Sequence, residues 1–182
     1  MEFQIAFRPL KMDDVPFINA LRQREDMENK IGGAKRPISL ERDMKWVENI
    51  LLGDNQSLVY FAVTSIEDDQ IVGYTSISEI DYRNGSCFWS GIKLDSSRAN
   101  KGWGTQVALK ILKFVFEELR MERCKGECLE DHTGALRMME KAGFQKEGLI
   151  RNSVYKNGKY NNQHIFAVIK EDYFKVKESF SL

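Results

Sequence analysis

A strand, a glycine turn and a long amphipathic helix follow one another directly at the centre of the chain, and that succession limits the fold more than any other feature. Phe88 to Leu94 reads as a strand, a polar turn follows, and Lys101-Gly102-Trp103-Gly104-Thr105 leads into a helix to about Leu119. On that helix Val107, Ala108, Ile111, Leu112, Val115 and Leu119 recur at the helical period, so one face must pack on a sheet. Glycines at 102 and 104 allow close backbone approach, and the first N–H groups of the helix point back into the turn with partial positive charge. Such a turn suits an anion, above all a phosphate. It equally suits an ordinary loop with glycines at a helix start, and a lone G-x-G does not separate the two.

The surroundings narrow the choice. Upstream, Phe3 to Leu10 alternates as a first strand. Asp13 and Asp14 are placed to cap a helix whose apolar stripe is Val15, Phe17, Ile18 and Leu21, ahead of the charged stretch Arg22 to Lys30. Gly32 to Pro37 reads as a loop, and Ser39 opens a second helix with Leu40, Met44, Val47 and Leu51 expected inside and an end near Gly53. Leu58 to Ile66 and Ile71 to Ser78 are strands across the turn Glu67 to Gln70, and Asn84-Gly85 marks a tight hairpin into the strand that opens the central motif. Four antiparallel strands thus precede the glycine turn. Downstream come a strand at Cys124 to Leu129, a helix from Thr133 to Ala142 closed by Gly143, and a last hairpin, Phe144 to Lys156 and Lys159 to Ile169, around Asn157-Gly158. The strand, helix, strand order around the glycine turn predicts a parallel pair with the turn at a strand's carboxyl end, where α/β sheets collect ligands.

At 182 residues, 42% hydrophobic and 30% charged, the chain fits a single domain spanning 1–182. Lys plus Arg and Asp plus Glu both number 27, and no basic stripe studded with aromatics argues for nucleic acid. No signal peptide and no apolar run long enough for a membrane span is apparent, which favours a cytoplasmic setting and no membrane partner. Cys87, Cys124 and Cys128 are an odd number. Cys124 and Cys128 stand four apart on what reads as one strand face, where they serve as small apolar residues, and with two histidines in the chain no metal site is expected.

Among phosphate loops, the G-x-x-x-x-G-K-[ST] pattern is absent, and the dinucleotide pattern fails at Val107 and at its place after four antiparallel strands. The combination of Lys101-Gly102-Trp103-Gly104-Thr105 after a strand, Glu140-Lys141-Ala142-Gly143-Phe144, Glu147-Gly148 and Arg151, then the turn Asn157-Gly158-Lys159-Tyr160, instead resembles the GCN5-related N-acetyltransferases (GNAT), and within them the ribosomal-protein-acetylating type. That resemblance implies an α/β (α+β) fold with a mixed, mostly antiparallel sheet of about seven strands and flanking helices, splayed between the fourth and fifth strands. It implies acetyl-CoA as acetyl donor. The pyrophosphate would lie on backbone N–H groups of Lys101, Gly102, Trp103, Gly104 and Thr105, and the pantetheine arm along Ile92, Lys93 and Leu94; Arg98 and His132 join the donor-binding set. The reaction implied is direct attack by a primary amine, oriented by the protein, with a backbone N–H as oxyanion donor.

Three positions depart from the family pattern. Ala99 stands where a Gln or Arg is usual, His132 where an asparagine is frequent, and Met139 where a tyrosine often serves as general acid. Methionine has no proton to give. A base is needed if the amine arrives charged, and Glu79 and Asp81 are the candidates, although both also suit solvated turn acids before Asn84-Gly85. His132 suits a helix cap as well as proton work, and Tyr155 and Tyr160 suit either the acceptor site or cross-strand packing. The acceptor is a protein N-terminus or a small amine such as an amino-sugar nucleotide or polyamine, and a homodimer is compatible with the resemblance. The rival function, motivated by Ala99 and Met139, is a CoA-binding sensor or interaction module that has lost catalysis.

Overall fold

Alternating β-branched and aromatic runs assemble into one seven-stranded sheet in the computed structural model, which describes residues 2–33, 36–98 and 102–180. The strands are β1 (Ile5–Arg8), β2 (Val59–Ser65), β3 (Ile71–Asp81), β4 (Ser86–Leu94), β5 (Arg123–Leu129), β6 (Gln145–Lys156) and β7 (Lys159–Ile169). Their spatial order is β1-β2-β3-β4-β5-β7-β6, antiparallel throughout except for the parallel pair β4 and β5. The final hairpin therefore docks by its second strand, which leaves β6 as the edge.

The helices are α1 (Val15–Gln23), α2 (Glu25–Glu28), α3 (Leu40–Leu52), α4 (Trp103–Lys113), α5 (Thr133–Lys141) and α6 (Lys170–Phe180). Two apolar clusters form. The smaller joins Val15, Ile18 and Leu21 of α1 and Val47 of α3 to Ala62 and Tyr74 of the sheet. The larger joins the apolar stripe of α4 to Trp89, Cys87, Cys124, Phe144 and Phe166. No helix among the described residues is long and apolar enough to cross a membrane.

Several expectations hold in detail. Ser39 caps α3 by accepting from the Arg42 N–H at 3.2 Å, His132 caps α5 by accepting from the Ala135 N–H at 3.3 Å, and Gly143 closes α5 at φ +89°. Others are corrected. The inner face of α3 is Asp43, Trp46, Val47 and Ile50, whereas Leu40, Met44 and Leu51 lie exposed. The face is rotated because Asp43 is drawn inward by Arg22 at 2.8 Å and Asn19 at 2.8 Å, a demand that apolar periodicity does not register. Asp14 makes no side-chain cap on α1 itself; its carboxylate accepts from the Lys11 N–H at 2.8 Å, capping the 3-10 turn that runs into α1, and takes both guanidinium arms of Arg8 at 2.7 Å. The central helix does not run evenly to Leu119. It widens after Lys113, where the Leu119 N–H reaches the Phe114 carbonyl five residues back at 3.0 Å. The extra residue turns both Val115 and Phe116 inward, and Phe116 stacks on Tyr173 of α6 at 5.1 Å. Beyond the expected elements lies α6, whose polar composition hides a single buried anchor, Tyr173.

All three thiols are buried and none is in a disulfide. Burial pushes the Cys128 thiol up to about 11, and the Cys87 contact followed by burial raises Cys124. At pH 8 the Cys128 thiolate fraction falls about a hundredfold below that of an ordinary cysteine. We expect a thiol-specific reagent to titrate three cysteines rapidly in denaturant and Cys128 at least on the order of a hundredfold more slowly in the native protein.

Candidate functional site

The parallel ladder between β4 and β5 is short. It pairs Ser86 with Arg123, Cys87 with Cys124 and Phe88 with Lys125, then stops, while β5 stays paired with β7 out to Leu129. Beyond Phe88 the two strands diverge into the expected fork. Gly126 lies on β5 just past the last pair, and an added Cβ there would come within 2.7 Å of the Met139 methyl and 4.0 Å of the Trp89 carbonyl oxygen. Met139 is thus buried at the base of the fork.

At the same level β4 carries a bulge. Thr75 faces Ile92 and Ile77 faces Trp89, so Ser90 and Gly91 oppose Ser76 alone. Gly91 takes φ +84°, and a Cβ there would meet nothing within 4 Å. Thr75, 1% exposed, fixes this geometry by accepting from the Trp89 indole N–H and donating to the Gly91 carbonyl, both at 2.8 Å. The bulge re-aims backbone polar groups of β4 where no β5 ladder takes them up, the requirement for a donor to a developing oxyanion.

The glycine turn closes the other end. Gly102 stands before α4 at φ +72°, accepts from the Gln106 N–H at 3.1 Å, and has open space where a Cβ would go. The N–H groups of Trp103, Gly104 and Thr105 lie in the first turn of α4, ahead of that first helical bond. Gly104 lets α4 approach α5, since its Cβ would stand 3.1 Å from the Met138 sulfur. These features fit a diphosphate: open space, a left-handed turn and a helix start. The Trp103 side chain has a different task. It is buried, and its indole donates to Gln4 Oε1 at 2.9 Å while the Gln4 N–H donates to Gln106 Oε1 at 2.8 Å, tying the start of α4 to β1. Lys101, expected in the same cradle, and Ala99 lie outside the described residues.

The remaining expected donor residues divide. Ile92 and Leu94 turn toward the larger core under α4. Lys93 turns to the opposite face, where its ammonium meets Glu28 of α2 at 3.0 Å; burial lowers its pKa despite that partner. Arg98 reaches back to Asp68 in the β2–β3 turn at 2.9 Å, and this bond holds the Asp68 carboxyl down at about 2. His132 is placed as a helix cap, with its pKa lowered by burial and then by Lys30.

On the face away from α4, α2 and the residues after it span the open end of the fork. Glu28 meets Lys93 of β4, the Lys156 ammonium of β6 donates to the Glu28 and Ile31 carbonyls, and Gly32 abuts Gln163 of β7. Sequence reasoning placed no site residue here, because Arg22 to Lys30 carries no motif.

The two candidate bases separate. Asp81 accepts from the Arg83 and Asn84 N–H groups at 3.0 Å and from the Asn84 side chain at 2.6 Å; those bonds, led by the Asn84 backbone, lower its pKa. It is engaged in closing the β3–β4 turn. Glu79 sits at a second bulge, between the pairs Ser78–Phe88 and Asp81–Ser86, with φ +51°. A non-glycine residue in that region is uncommon, and Glu79 shares it among the described residues with Asp69, Arg120, Asn152 and Asn157. Its carboxylate reaches across β4 to Lys125 at 3.2 Å, beside the last pair before the fork. Next to it, the Ser78 and Ser90 hydroxyls share a hydrogen bond of 2.8 Å. Tyr155 and Tyr160 pair across the final hairpin with ring centres 5.1 Å apart, and both are exposed.

Comparison with known proteins places this arrangement. Residues 4–145 match the acetyltransferase (GNAT) domain family. Among curated relatives, the probable N-acetyltransferase YjcK of Bacillus subtilis is 28% identical over 113 residues, which span 62% of each chain. The uncharacterized prophage-derived N-acetyltransferase YokL of the same organism is 24% identical over 93% of this chain and 92% of its own. Among solved structures, spermidine N-acetyltransferase from Vibrio cholerae in complex with CoA and spermine superposes with a TM-score of 0.85 at 20% identity, covering 94% of this chain and 98% of that one. A dodecameric form of the same enzyme superposes with a TM-score of 0.78 at 21% identity, covering 93% and 96%. With the match running from β1 through the forked strands and α5, the chain belongs to the GNAT acetyltransferases, a family that draws its acyl group from acetyl-CoA.

Proposed function

We propose that the protein is an N-acetyltransferase that binds acetyl-CoA in the fork between β4 and β5, with the diphosphate on Gly102 to Thr105, and passes the acetyl group to a primary amine by direct attack. The observation that carries this reading is that the short β4–β5 ladder, the Gly91 bulge and the left-handed Gly102 before α4 occur in one β4-to-α4 unit. In the attack the amine lone pair forms the new N–C bond, the carbonyl π electrons move to oxygen against the β4 bulge, and collapse expels CoA as thiolate. The amine must first lose a proton, and Glu79 is our candidate acceptor for it, directly or through water. With Met139 apolar, solvent takes the proton that the adduct nitrogen still has to lose and returns one to the thiolate, so the products are the neutral amide and CoA thiol.

The acceptor we favour is a small cationic amine of the polyamine class. Its support is the superposition on a spermidine acetyltransferase. The ribosomal-protein-like motif at Lys141 to Arg151 supports a second reading, a protein N-terminus. Incubating the protein with acetyl-CoA and, in turn, spermidine, spermine, glucosamine and a peptide with a free N-terminus, while following thiol release, separates these. Fastest release with the polyamines supports the first reading and fastest with the peptide the second. Donor-induced thermal stabilisation with no release across the panel supports a binding module instead.

Glu79→Gln should lower kcat on the order of tenfold at neutral pH with little change in KM, below the usual range for a buried general base because Glu79 is solvent-exposed and water can replace it. Asp81→Asn should leave kcat within about twofold, since Asp81 serves the turn. Equal losses in the two variants would remove Glu79 from the mechanism.

A further inference from the structure

The acceptor wall is built on a helix too short to hold itself. A four-residue helix lies far below the length at which helices persist alone, so the order of α2 depends on its tertiary anchors. Its bonds are few: the Met27 and Glu28 N–H groups both donate to the Arg24 carbonyl, at 3.2 and 3.0 Å, and Asn29 donates to Glu25 at 3.0 Å. Its anchors lie on two sides: the Lys156 ammonium of β6 donates to the Glu28 and Ile31 carbonyls, and the others gather at the end of β4. The Arg24 guanidinium donates to Asp95 Oδ1 at 2.7 Å and to the Ser96 hydroxyl, Ser96 in turn donates to Asp26 at 2.8 Å, and Lys93 holds Glu28 at 3.0 Å. Residues 93, 95 and 96 belong to the end of β4 and the turn that continues toward Gly102. Asp95 Oδ1 also accepts from the Ser97 N–H at 3.0 Å, so one carboxylate oxygen joins α2 to that turn.

We infer that Arg24 is a positioning residue that couples the two substrate sites: through Asp95 and Ser96 it seats α2 on the turn leading into the donor cradle, so that filling the cradle firms the acceptor wall. An isolated exposed ion pair contributes little to stability, but a forked guanidinium shared among Asp95, Ser96 and Asp26 transmits the order of one segment to another. Coupling of this kind is reciprocal, so acceptor binding tightens the donor by the same factor. The inference rests on the donor-site reading given above.

Hydrogen exchange of the full chain with and without saturating acetyl-CoA tests it. In the wild type, donor should slow exchange both at Gly102 to Gln106 and at Met27 to Lys30. In Arg24→Ala the cradle should remain protected with donor Kd within about threefold, while the donor-dependent protection of α2 is lost. Arg24→Lys, which keeps the charge but not the fork, should restore part of it. Asp95→Asn repeats the test from the other partner should Arg24→Ala fail to fold. A merely structural Arg24 would loosen α2 equally with and without donor and leave the donor-dependent difference intact, which overturns the inference. So does a wild type whose cradle is protected while α2 is unaffected. Absence of protection at the cradle itself removes the donor-site reading, and this inference with it.

Discussion

Gly102→Asp should abolish useful donor binding while Gly102→Asn largely preserves it. Gly102 holds φ +72°, a conformation that Asn and Asp tolerate better than other residues with a Cβ, and the added side chain meets no protein atom within 4 Å. Both variants should therefore fold, each losing about 1 kcal/mol of stability from backbone strain. They differ in charge. A carboxylate about 5 Å from a bound diphosphate repels each phosphate charge by roughly 3 kcal/mol at an effective dielectric near 20, which corresponds to about a hundredfold in Kd. Calorimetric titration with acetyl-CoA should give a Kd within about tenfold of wild type for the asparagine variant and raised at least about a hundredfold for the aspartate variant. Equal weakening in the two would show that the diphosphate lies elsewhere.

The same glycine shows what was readable beforehand. A G-x-G at a helix start is ambiguous alone, and its place after four strands and before the Lys141 to Arg151 segment is what supports reading it as the proposed donor cradle, because sheet order follows from strand and helix periodicity. The fork was accessible only through family resemblance. It is the absence of a ladder beyond Phe88, and missing hydrogen bonds leave no mark in residue types. The resemblance assigned Trp103 to the donor through its backbone N–H and placed Arg98 in the same set; their side chains answer residues far along the chain, Arg98 to Asp68 and the Trp103 indole to Gln4, thirty and ninety-nine residues away. Glu79 and Asp81 looked equivalent in sequence. A bulge in β3 makes them different, aiming one across the sheet and leaving the other in the turn. The stretch between β1 and β2 suits a wall over a site, but α2 itself could not be read there, since a four-residue helix held by distant side chains has no periodicity to detect.

Thr75→Val should damage stability and turnover together. Valine keeps the volume and β-propensity of threonine but removes a hydroxyl that is fully used, accepting from the buried Trp89 indole and donating to the Gly91 carbonyl. The indole N–H is then buried without a partner, a loss of about 1 to 3 kcal/mol that should appear as a lower denaturant midpoint with an unchanged m-value. The catalytic effect comes from the other bond. Gly91 occupies the bulge, its φ of +84° is held in place from the Thr75 side, and in the proposed reaction backbone groups re-aimed there receive charge from the thioester oxygen. Released from that hold, the bulge no longer presents a preorganised donor, and loss of one such donor lowers kcat by about a hundredfold or more. Donor affinity should change little, because the diphosphate cradle begins at Gly102, beyond the end of β4. Thr75→Ser, which retains the hydroxyl, should recover most of kcat even though it loses a packed methyl. If the valine variant loses stability but keeps kcat, the bulge supports the fold and the oxyanion must be met by another group.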